Sequence, residues 1–181
     1  MGELTHEEKL HFTLVLMGML RLTDAKFLHG CRGINVDYLA RGPLWKLGLD
    51  FNHGTGHGVG YLLSVHEGPQ SIRWRSLGKE PALAPGMITS DEPGVYFDGD
   101  FGIRLENLVL CTEKSQTNFG TFLGFETLTL TPFDRDAMDP TQMTPQEKAL
   151  LNAYHARVHA AIAPHLPPEE AAWLAQATRP I

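Results

Sequence analysis

The chain has 181 residues, 43% of them hydrophobic and 20% charged, which is ordinary for a globular protein and enough for one core, or one core plus an appendage. A net charge of -6, with no cluster of Lys or Arg, excludes nucleic acid as the main partner, because no basic surplus offsets phosphates. No run reaches transmembrane length, and the short apolar stretch Leu14 to Leu20 follows Glu7-Glu8 rather than a basic segment, so neither a membrane span nor a secretory signal is expected.

The elements follow in chain order. Thr5-His6-Glu7-Glu8 is a capping box, with Leu10, Leu14, Met17 and Leu20 at helical spacing behind it. A helix is predicted from about His6 to Phe27, punctuated by Gly30 and Gly33. Asn35 caps a second helix with Val36, Leu39, Ala40, Leu44 and Leu47 on one face, Gly48 past its end and Pro43 as a kink. From Asp50 the texture changes to strands. Gly60 to Val65 reads as a mostly buried strand ending at His66, and Gly68 to Lys79 as an exposed loop containing Ile72 and Trp74. A Pro85-Gly86 turn leads a short strand, Gly86 to Ser90. Val95 to Phe97 and Gly102 to Cys111 read as a hairpin around Asp98-Gly99-Asp100. Phe122 to Leu130 is another strand, with Leu128 and Leu130 on one face. Thr144-Pro145-Gln146-Glu147 is a second capping box opening a helix to about Ile162, and Pro167-Pro168 begins a last helix to about Ala177. Clustered strands with helices segregated at the ends predict an α+β fold. The two cysteines, Cys31 and Cys111, lie far apart without CxxC spacing and read as reduced thiols of a cytoplasmic protein.

The residues that bear chemistry are concentrated in the strand-rich middle. His53-Gly54-Thr55-Gly56-His57-Gly58-Val59-Gly60 is followed by His66-Glu67-Gly68-Pro69. His53 and His57 have the spacing of a zinc helix, but Gly-Thr-Gly between them disfavours a helix and no general-base Glu accompanies them. The glycines match neither GxGxxG nor a P-loop. Downstream, Glu92 precedes Pro93-Gly94, where the chain turns sharply, and Arg104 and Glu106 share one face of a predicted strand. An arginine beside a carboxylate holds it ionised. One histidine with two spaced glutamates is what a divalent, hydrolytic metal site requires, and Glu106 is the candidate to bridge two metals.

The segments HGTGHGVGYLLSVHEGPQ, ITSDEPGVYFDGDFGIRLENLVL and FLGFETLTLTPFDRDAMD resemble the catalytic domain of the Xaa-Pro aminopeptidases (aminopeptidase P), dimanganese peptidases of the pita-bread fold. The likeness runs almost end to end and includes the tail LNAYHARVHAAIAPHL. It implies a partial pita-bread (creatinase/aminopeptidase-like) fold with a C-terminal helical extension. Residues 1–118 would be the C-terminal portion of the catalytic domain, and 119–181 the C-terminal region with the last strand and helices. It further implies His57, Glu92 and Glu106 as metal ligands, and His53, His66 and Arg104 as catalytic residues. His53 and His66 would bind substrate, with His66 helping to stabilise the oxyanion. The implied substrate is a peptide with proline second, cut after its first residue by water that two metals activate.

The family uses five ligands, and its two Asp ligands stand in a glycine-rich hairpin of the type DSGxxYxxGTTDxTR. This sequence has no such segment, and Asp24, Asp37 and Asp50 do not stand in that context. The expectation is a chain resembling the C-terminal part of the enzyme. Of the two Mn²⁺ of a complete site it would hold at most one, weakly, with Zn²⁺ or Co²⁺ possible, and it would be inactive alone. Missing strands predict an open sheet edge and a possible homodimer. Two alternatives stand beside this: a non-catalytic pita-bread remnant that binds peptide or a partner protein, and a mononuclear zinc hydrolase using His53, His57 and one Glu.

Overall fold

The structure is a computed structural model that describes residues 2–62, 64–76 and 78–181. The chain divides into two compact units, Val15–Leu128 and a second made of Met1–Leu14 with Thr129–Ile181. Their boundary falls inside the first helix, α1 (His6–Thr23).

The capping box at the start of α1 forms as the sequence predicts: Glu8 accepts from the Thr5 N–H and hydroxyl, and Thr5 Oγ1 accepts from the Glu8 N–H. The helix stops four residues short of the expected end. Lys26–Leu28 is instead β1, which pairs antiparallel with β8 (Gly120–Thr127) and buries Phe27 against Phe125. A buried strand partner overrides the helical spacing there.

The larger unit is built on a four-stranded antiparallel sheet in the order β1-β8-β7-β4, with β4 at Ile88–Asp91 and β7 at Asn107–Thr117. The helix α2 (Gly33–Trp45) contributes Val36 and Ala40 to its core, alongside Leu22, Leu83, Val109, Cys111 and Leu123. That helix begins at Gly33, three residues earlier than an Asn35 cap would place it; the Asn35 side chain reaches back to accept the Arg32 N–H. Pro43 is accommodated in its last turn. Gly48 and Gly86 carry positive φ, as a helix end and a Pro-Gly turn require.

Several strand expectations are corrected. Gly60 to Val65 is not a buried strand: Tyr61 is 88% and Leu62 80% exposed, and the segment turns back through a Gly60 N–H to Ser64 carbonyl bond. Leu63, also within that expectation, lies outside the described residues. An apolar run needs a partner edge to become a strand, and among the described residues none pairs with it. Within the expected loop from Gly68 to Lys79, Ser71–Ile72 forms β3, which pairs with β2 (Gly56–His57) and buries Ile72 completely. Gly102 to Cys111 is broken: β6 (Gly102–Arg104) pairs with β5 (Gly94–Tyr96), whereas β7 starts at Asn107 and pairs with β4 and β8. Glu106 therefore lies between two strands rather than in one. Leu128 and Leu130 lie past the end of β8.

In the second unit, α3 (Pro145–Ile162) and α4 (Pro168–Ala177) match their predicted bounds, and Thr144 with Glu147 forms the second capping box. Leu151, Val158 and Leu174 are buried. The buried His155 accepts the Phe133 N–H at its Nε2, and this bond together with Tyr154, whose hydroxyl donates to the Thr131 carbonyl, ties residues 131–133 to α3.

Candidate active site

The site is assembled where the glycine-rich loop crosses β4. Gly56 and Gly58 have no side chain because none fits: a Cβ on the first would collide with the Ser90 carbonyl, and one on the second with the Glu67 carbonyl. This close approach lets the His57 N–H donate to Ser90 Oγ at 2.9 Å, while Ser90 Oγ donates to Glu92 Oε1 at 2.9 Å. The Glu92 N–H in turn donates to the Thr55 carbonyl. Two segments separated by 35 positions are thus locked in register, with the His57 and Glu92 side chains facing each other.

His57 Nε2 lies 3.1 Å from Glu92 Oε1. Its Nδ1 faces the Gly58 carbonyl at 2.9 Å, an oxygen that only accepts, so Nδ1 carries a hydrogen. Nε2 therefore meets the carboxylate either as the N–H donor of an ion pair or, in the neutral ring, with its lone pair, in which case a cation would have to lie between the two atoms. An imidazole whose other N–H is tied to a carbonyl is also the form in which histidines ligate metals.

Arg104 joins the two carboxylates: it lies 3.8 Å from Glu92 Oε2 and 3.7 Å from Glu106 Oε2. Among the described residues no three His, Cys, Asp or Glu side chains form a ready-made cation cage. His57 and Glu92 are in contact, and Glu106 is linked to them through Arg104.

The remaining histidines flank this centre. The His66 ring lies 4.3 Å from that of His57, beside a cleft of about 330 Å³ that also includes Glu67 and Arg73. His53 donates from Nδ1 to the Gly54 carbonyl and receives the Tyr96 hydroxyl at Nε2, 2.8 Å away. The two line a cleft of about 700 Å³ with Phe51 and Phe97. Tyr96 was not singled out in the sequence, where it reads as one aromatic of a hairpin. Burial raises its hydroxyl pKa, Glu92 and Glu106 add to that, and Arg104 opposes it. Tyr96 therefore joins His53 to the Arg104 cluster.

Arg41 was also missed. It is fully buried and donates to Asp37, to Asp50 and to the carbonyls of Phe51 and His53, at 2.6 to 2.8 Å, with its guanidinium 3.7 Å from the centre of the Phe51 ring. Thr55 completes the cluster by donating to Asp37 Oδ1. Burial pushes the Asp37 carboxyl up, against the pull of Thr55 and Arg41. Asp50 is shifted down, because the Phe51 N–H, Trp45 and Arg41 outweigh its burial. Asp37 and Asp50 thus hold the loop that carries His53. Asp91, next to Glu92, accepts from Thr23, and its carboxyl is driven well above the usual range by burial, with Glu92 adding to the rise.

Residues 1–113 match the model of metallopeptidase family M24, and residues 121–181 match that of the C-terminal region of the same family. The chain belongs to metallopeptidase family M24. Within it, a probable Xaa-Pro aminopeptidase P from Colletotrichum graminicola is 47% identical over 99% of this chain and 30% of its own length. Aminopeptidase P1 of Arabidopsis thaliana is 42% identical over 99% of this chain and 28% of its own. Among solved structures, the X-prolyl aminopeptidase of Caenorhabditis elegans, described as a cytosolic enzyme with a di-nuclear active site, superposes with a TM-score of 0.90 at 42% identity, covering 98% of this chain and 29% of that one. A prolidase from Pyrococcus furiosus superposes with a TM-score of 0.60 at 30% identity over 73% of this chain and 35% of that one. The α+β architecture is the pita-bread fold of these M24 peptidases. The chain spans about 30% of the length of the curated relatives it matches. No helix among the described residues is long and apolar enough to cross a membrane.

Proposed function

We propose that this chain supplies the His/Glu portion of a dinuclear metallopeptidase site that removes the first residue from peptides with proline in second position. The observation that carries this reading is the His57–Glu92 pair, with Nε2 and Oε1 3.1 Å apart, and Arg104 linking Glu92 to Glu106. One imidazole nitrogen and two carboxylates suit a divalent ion of intermediate hardness, with Mn²⁺ as the proposed metal and Zn²⁺ or Co²⁺ as substitutes. When bound, the metal supplies Lewis-acid polarisation of the scissile carbonyl.

His57 would offer Nε2 to the metal, and Glu92 and Glu106 their carboxylates. Arg104, within 3.8 Å of both carboxylates, would orient them. His66, beside the 330 Å³ cleft, would donate to the developing oxyanion, and His53, oriented by the Tyr96 hydroxyl, would contact the substrate backbone in the 700 Å³ cleft. The cytosolic character of the C. elegans relative supports a cytoplasmic location.

His57, Glu92 and Glu106 are three of the five ligands the resemblance implies, and they do not form a cage by themselves. The chain alone is therefore proposed to bind one metal weakly at most and to turn over no peptide. The same observation favours a second reading, in which the chain binds peptide without cleaving it. Calorimetric titration with Mn²⁺ and Zn²⁺, with Arg-Pro-Pro binding and cleavage on the same sample, tests both. Weak metal binding lost in H57Q and E92Q, without turnover, supports the first reading; peptide binding that persists in those variants supports the second. Two bound metals with robust cleavage would overturn the claim that three ligands are insufficient.

A further inference from the structure

The cleft of about 700 Å³ beside His53 carries charge of one sign. Phe51, Tyr96 and Phe97 give it aromatic walls, Asp50 and Asp98 stand on it, and no arginine or lysine lines it. Both ring nitrogens of His53 are engaged, one by the Gly54 carbonyl and the other by the Tyr96 hydroxyl. Arg41 lies against the Phe51 ring but is fully buried, and its nitrogens are spent on Asp37, Asp50 and the carbonyls of Phe51 and His53. It has nothing left for a group in the cleft.

The two aspartates differ in what they can offer. Asp50 gives Oδ1 to Arg41 and to the Phe51 N–H, so it lends its charge more than a free oxygen. Asp98 is exposed in the turn between β5 and β6, which the Phe97 N–H closes by donating to the Phe101 carbonyl at 2.9 Å. The turn holds the Asp98 carboxylate next to the Phe97 ring, which packs on Phe101 at 5.0 Å. An anion would be repelled here, and a purely apolar group would leave the carboxylates unused. A lysine or arginine side chain suits both features. Its methylene stem covers the aromatic wall while its charged head stays at the wet edge, and a cation is drawn to ring faces as well as to carboxylates.

We propose that this cleft selects a lysine or arginine side chain of the bound peptide, with Asp98 as the residue that determines the selection. The proposal rests on the reading that the cleft beside His53 receives substrate. NMR titration of the full chain tests it with two probes, N-acetyl-arginine amide and its uncharged isostere N-acetyl-citrulline amide. Neither probe carries proline or needs a metal, so a failure here is distinct from a failure of the metallopeptidase reading, which the calorimetric metal titration reports. Saturable shifts of the Phe97 and Asp98 amide signals are expected with the arginine probe, at an affinity about three- to tenfold above that of the citrulline probe. D98N should bring the two probes together. D98E should keep them apart, because the charge stays, and D134N, in the other unit, should change nothing. The tighter binder of Arg-Pro-Ala and Ala-Pro-Arg then gives the position of the selected residue in the peptide. Equal affinity for the two probes, no saturable shift with the arginine probe, or a preference that survives in D98N overturns the proposal.

Discussion

Arg41 and Arg104 both sit among carboxylates in the same unit, and their surroundings are opposite. Arg41 has no exposed side-chain surface and spends its nitrogens on Asp37, Asp50 and two carbonyls within 2.8 Å. Arg104 is 51% exposed and stands 3.7 to 3.8 Å from its two glutamates. The first cluster is closed and leaves nothing for a ligand to satisfy. The second is loose, faces solvent, and has His57 Nε2 3.1 Å from a Glu92 oxygen. A charged cluster that is already saturated builds the frame, and one left unsaturated is where chemistry is to be sought.

The largest expected effect tests the closed side. In R41M, Asp37 keeps a buried charge with only Thr55 to bond it, so stability falls by about 3–5 kcal/mol, read from urea denaturation. The same variant frees the carbonyls of Phe51 and His53, so the His53 resonance should also shift. A loss below about 1 kcal/mol would mean that the cluster is not the frame.

A buried polar group elsewhere extends the contrast through pH. Burial, with the Arg135 charge, lowers the His155 pKa to about 4. The unfolded chain takes that proton near the ordinary value of about 6.5 and the folded one only near 4, so the unfolded state holds more protons between them. This contribution to stability is complete above pH 6.5 and falls away as pH drops toward 4, by about 3 kcal/mol in all. H155Q should flatten that slope in urea midpoints measured across this window.

Smaller again is S90A. Ser90 Oγ takes the His57 N–H and donates to Glu92 Oε1, so its loss frees both partners at a cost of about 1–2 kcal/mol. Ser90 joins frame to site, and metal affinity should weaken with stability. Calorimetry that found stability reduced but metal binding intact would separate the two.

These two clusters also mark how far the sequence could be read. Helix ends were legible at Thr5 and Thr144, because a capping box is a local signal complete within four residues. His57, Glu92 and Glu106 were legible as chemical types, since glycine-flanked histidine and Glu-Pro-Gly stand out from a solvated surface. Arg41 was not: beyond Asp37 on its own helix, its partners are fixed only when residues 50–53 fold back on it. Tyr96 was hidden for the same reason, being 43 positions from the histidine it bonds. Gly60 to Val65 misled because its apolar run carries no record of whether an edge strand awaits it.

The smallest expected effect completes the comparison. R104M removes an exposed arginine whose carboxylate contacts are long, so folding stability should change by no more than about 0.5 kcal/mol, against several for R41M. The metal response should move instead. Without the guanidinium, Glu92 and Glu106 lose the charge that screens their mutual repulsion, and a divalent cation becomes the group that restores it. Metal affinity would then rise if Arg104 competes with the cation, and fall if Arg104 chiefly orients the carboxylates. Either shift at unchanged stability keeps Arg104 on the chemical side. A stability loss like that of R41M, with metal binding unmoved, would make the two arginines the same kind of structural element and remove the distinction drawn between them.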